Sequence, residues 1–203
     1  MKEKYLEDIK EIKEIMNRST RFISLSGLSG VSTGLIALVG VAAAYLMVFQ
    51  EQNWLIEQAV SIDATNLFYL LLIAVVTLGL SIGSAIFFTT QKAIRQSQKV
   101  WDQQSKRLLV NLSIPLVTGG LLCLLLLYKG FVGFLPALTL VFYGLALINA
   151  SKYTWPELRN LGLFEIVLGL LAIQFIAYSL LMWALGFGVI QVIYGLIVQK
   201  KYK

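Results

Sequence analysis

The chain has 203 residues, of which 58% are hydrophobic and only 14% charged, with a mean hydropathy of +0.76 and a formal net charge of +6. That is more apolar surface than a water-soluble chain of this length can hide, so lipid is the expected solvent. With no histidine and one cysteine, Cys123, the chain can build no internal disulfide, no His-based or multi-cysteine metal site and no Ser–His or Cys–His nucleophile pair, and no cofactor is expected.

Residues 1–21 are charged and helix-prone rather than a short basic stretch leading into an apolar core, so no cleavable signal peptide is expected. Tyr5, Ile9, Ile12 and Met16 recur at helical spacing, which predicts a cytoplasmic amphipathic helix. Through Thr20 it carries five acids and five bases, too balanced for a polybasic lipid anchor. Ile9, Ile12 and Met16 are therefore candidate contacts for a cytoplasmic protein partner, the alternative being a solvated extension of the first span.

A hydrocarbon layer about 30 Å thick asks for roughly 20 apolar residues per helix. The first such run covers residues 22–49 and includes SLSGLSGVSTG at 24–34. This stretch lacks the lysine and spacing of a phosphate-binding loop. On a helix, Ser26, Gly30 and Gly34 fall on one face in the small-xxx-small pattern that lets helix backbones approach in lipid. The second run, 66–90, offers a matching Gly79 and Gly83, so a tight contact between the first two helices is expected; a polar lining for a solute path is the alternative. Between them, residues 50–65 hold Glu51, Glu57 and Asp63 without a basic residue, and Trp54, Leu55, Ile56 and Ile62 suit a membrane surface.

Spans three and four are expected at 108–128 and 131–150, with Pro115 inside the third. Thr154-Trp-Pro-Glu157 reads as a capped helix start. The last run, residues 161–198, would make a helix of about 57 Å, twice one crossing. It reads as two helices, 160–181 and 184–199, turning around residues 182–186, where Trp183 and Gly186 suit an interface. VFYGLAL at 141–147 and VIYGLIV at 192–198 suggest that helices 3–4 and 5–6 form a repeated hairpin.

Sixteen of the seventeen Lys and Arg residues fall on the N-terminal segment, the second and fourth loops and the tail, leaving Lys129 alone on the other side. By the positive-inside rule both termini are cytoplasmic, so the basic residues report topology rather than nucleic-acid binding.

Glu165 is the one acidic residue well inside a span, and a charge there is costly unless it has a function or a partner. Near the boundary it would pair with Arg159 or Lys152; deeper, it would be a functional carboxyl. Asn111, Asn149, Gln174 and Gln191 are the intramembrane amides, suited to interhelical hydrogen bonds or, jointly with Glu165, to a polar cavity.

At residues 11–30, EIKEIMNRSTRFISLSGLSG, the chain resembles a family of uncharacterised small bacterial multi-pass, six-span inner-membrane proteins with no named activity. The resemblance implies a bacterial membrane location and transfers no site residue. The expectation is an all-α polytopic helical bundle: a cytoplasmic helix at 1–21 and a six-helix transmembrane domain at 22–203. The expected function is a non-enzymatic sensory, regulatory or assembly component with a cytoplasmic protein partner or a homo-oligomer. The alternative is a small-solute or proton-coupled transporter.

Overall fold

The computed structural model describes residues 26–49, 63–95 and 102–201. The segments carrying Ile9, Ile12 and Met16 and the loop around Trp54 lie outside the described residues. Six helices make up nearly all of what is described. Helix α1 is Gly27–Ala44, prolonged by a π turn at Tyr45–Phe49; α2 is Ala64–Arg95 and α3 Gln103–Tyr128. Helix α4 is Leu135–Ala150 after a short 3-10 turn, α5 is Glu157–Gln174, and α6 is Ile176–Lys201. All but α5 are long and apolar enough to cross a membrane; α5 is interrupted by Glu157, Arg159 and Glu165. This is a helical membrane bundle.

The surface bears out that solvent. Phe68, Val75, Leu78, Ile86 and Phe87 of α2, and Val117, Leu121 and Leu125 of α3, point outward and exposed. Such contiguous apolar surface needs hydrocarbon or another protein against it.

The interior is built from small residues. Helix α1 packs on α2 and α6, while α4 lies between α3 and α5, and α6 also meets α4 and α5. Gly195 of α6 lies against Gly27, Gly30 and Val31, and Gly34 lies against Gly188 and Val192. The Ser26, Gly30 and Gly34 face therefore packs on the last helix, not the second. Gly79 and Gly83 have nothing within 4 Å of where a side chain would stand, which corrects the expected α1–α2 glycine contact. That contact is made instead by Ser32 donating to Ser84 Oγ at 3.2 Å and by Gly40 against Thr77. The hydroxyls of Ser29 and Thr33 bond carbonyls of their own helix, which satisfies them without a wet cavity.

Helix ends follow local chemistry. Asp102 caps α3, accepting from the Ser105 N–H and Oγ, each at 2.6 Å. At the other end Gly130, with φ of 83°, accompanies bonds from Gly130 N to Leu127 O and from Phe131 N to Leu126 O, a Schellman closure. Helix α5 starts at Glu157 with Pro156 in the cap position, two residues later than a Thr154-capped start.

The last apolar run does contain a break, at another place. Phe175, with φ −120° and ψ 71°, ends α5, and the chain turns through Ile176–Tyr178. Residues 182–186 lie within α6, where Ala184–Ile190 is π-helical. Trp183 and Gly186 are used for helix packing rather than for a turn, as described below.

Candidate functional site

Glu165 lies halfway along α5, facing α4 and α6, with 0% of its side chain exposed. Two close helix approaches bracket it. Toward the start of α5, Gly162 meets Gly144 so closely that a methyl group on Gly144 would stand 2.5 Å from the Gly162 carbonyl oxygen. Two turns on, Gly169 rests on Ala137 and Val141 of α4. Gly186 of α6 completes the enclosure, because any side chain there would overlap Glu165 Oε2 and Leu140. The glycine thus makes the notch that the carboxyl occupies.

Neither carboxyl oxygen has a hydrogen-bond partner among the described residues. The expected ion pair with Arg159 or Lys152 is not formed, since Glu165 sits at mid-helix, too deep for a boundary pair. The ion pair in this region is instead Lys201 with Glu157, joining the end of α6 to the start of α5.

A polar and aromatic series runs beside the carboxyl. Gln191 Nε2 donates to Tyr143 Oη at 3.0 Å, and Gln191 Oε1 is buried without a partner. The Tyr143 ring stacks on Phe187 at 4.8 Å between centroids, Phe187 stacks on Trp183 at 4.7 Å, and Trp183 Nε1 donates to Thr139 Oγ1 at 3.1 Å. Gly186, which faces Glu165, and Phe187, which packs on Tyr143, are consecutive residues of α6, so the two groups occupy neighbouring places along it.

The π segment explains why α6 can serve both groups. Gly186 and Gln191 are five residues apart, about 1.4 turns of an α-helix and hence on different faces. The wider i to i+5 turn brings them toward one face, a distortion frequent at functional sites.

Of the amides singled out from sequence, only Gln191 joins Glu165 in this seam. Asn111 donates to the Arg107 carbonyl of its own helix, Gln174 is exposed at the end of α5, and Asn149 is half-buried near the end of α4. Tyr143, Phe187 and Gly186 were not read as site residues. The pairing of Gly162 with Gly169 and of Gly188 with Gly195, seven residues apart and so on one helix face, is the signal that marks the packing surfaces.

No family model matches the chain, and no curated protein or solved structure matches it. Among the described residues no group of three or more His, Cys, Asp or Glu side chains is placed to hold a metal ion.

Proposed function

We propose that this is a six-span protein of the bacterial inner membrane that binds and releases a proton at Glu165, as a proton-coupled carrier of a small solute would. One observation carries the reading: a carboxyl at mid-helix, fully buried, with both oxygens unpartnered and no ion pair to it among the described residues. A permanent charge so placed would be strongly destabilising, whereas a carboxyl that gains and loses a proton has a reason to be there. The six-span layout with both ends cytoplasmic is supported by contacts that gather the start of α1, the start of α5 and the end of α6 at one end of the bundle. The described basic residues of the loops cluster at that end, apart from Lys129.

The test is a pH titration of the reconstituted chain, following the carboxyl C=O infrared band, with proton flux into dye-loaded proteoliposomes as a second measurement. Among the titrating carboxyl bands of wild type one should be absent in Glu165→Gln, which should also reduce the flux at least about tenfold while inserting normally. An unchanged band or flux in Glu165→Gln would overturn the proposal.

A second reading, a non-enzymatic sensory, regulatory or assembly component, rests on the spacing of Ile9, Ile12 and Met16 in the sequence. It predicts that Ile9→Asp with Ile12→Asp releases a cytoplasmic partner recovered with wild type; identical partner sets would count against it.

A further inference from the structure

Resting on the reading of Glu165 as a proton site, we propose that Tyr143 is its positioning residue: the phenol hydroxyl donates to the Glu165 carboxylate whenever the proton is absent, with Gln191 holding the phenol oxygen from the other side. A tyrosine hydroxyl has one hydrogen to donate. Gln191 Nε2 already donates to Tyr143 Oη, so the phenol acts there as acceptor and its own hydrogen is unused. Among the described residues the bond from Gln191 is the hydrogen bond at the phenol oxygen, and the two acceptors of Glu165 have no partner. The donor and the acceptors lie where α4, α5 and α6 meet.

Shared neighbours link the two groups. Leu140 and Tyr143 are one turn apart on α4, and Leu140 lines the Gly186 notch that holds the carboxyl. The Tyr143 ring is held against Phe187, itself backed by Trp183, so the carboxyl, whose side chain has one more rotatable bond, is the part that swings. Other ionisable groups stand apart from this seam. On α5 itself, Glu157 is paired with Lys201 of α6, and Arg159 is exposed at the helix start. Tyr194 of α6 packs toward the Leu147, Leu158 and Leu161 cluster, and α4 contributes no ionisable group besides Tyr143.

Hydrogen bonding to the charged form favours that form, so the Tyr143 hydroxyl lets the proton leave more readily. Removing it should strengthen proton binding about tenfold or more, seen as a midpoint about one pH unit higher. The experiment is the infrared titration of the full chain in lipid nanodiscs, comparing wild type, Tyr143→Phe and a fluorinated tyrosine at position 143. The phenylalanine keeps the ring stack and should raise the midpoint; the fluorinated ring, a stronger donor, should lower it. A structural disturbance would move both variants the same way, and that result, or midpoints equal to wild type, would overturn the role of Tyr143 while leaving the proton site standing. If wild type has no titrating band that Glu165→Gln removes, the proton site and this role fall together.

Discussion

Single residues at the helix ends carry effects that are separable from the site. At Asp102, burial works against the charge, but hydrogen bonds from the Ser105 hydroxyl and the Ser105 and Gln104 backbone outweigh it, holding the carboxyl below the ordinary carboxylate range. A depressed folded-state value means that the cap's contribution is complete above the unfolded value and is lost as pH falls through the folded one. Asp102→Ala should therefore destabilise by about 1 kcal/mol at neutral pH and by progressively less in acid, measured by thermal unfolding in detergent across pH. Gly130→Ala should cost about 1 kcal/mol or more through its left-handed backbone, at any pH. Glu165 was legible as an oddity because a lone acid in an apolar run is visible in any sequence. Its surroundings were not, since Tyr143 looks like an ordinary member of an apolar helix, and Gly186 like part of a turn, until three helices are brought together.

Among elements, contrast between glycines is the sharpest test. Gly195→Ala would press a methyl group onto the Val31 nitrogen and the Gly27 carbonyl, and should destabilise by about 1–3 kcal/mol. Gly79→Ala on α2 meets open space and should be neutral or slightly stabilising, since alanine favours helix. Labelling of Cys123, the lone and half-buried thiol, during a thermal ramp reads both. The sequence located the small-residue face of α1 from spacing, but its partner depends on which distant helix returns to it, which spacing does not encode. The turn between α5 and the body of α6 was missed for a related reason. Residues 175–178, FIAY, carry no glycine, proline or asparagine, while Trp183 and Gly186, which look like turn residues, are committed to Thr139 and Glu165.

For the whole molecule, the apolar runs and their charge asymmetry made the membrane class readable, because hydrocarbon imposes a length and a composition on every helix. A periplasm-only reporter fused to either end should stay silent in the six-span layout, and a signal from either would refute it. The bundle's two parts, α1 with α2 and α3 to α5, meet largely through α6. Since α6 is made long after α1, the glycine face of α1 must wait for about 150 further residues, on the order of ten to thirty seconds of synthesis, before its neighbour exists. During that interval the half-made chain presents a bare serine and glycine surface to lipid, and any helix that lodged there first would block completion of the fold.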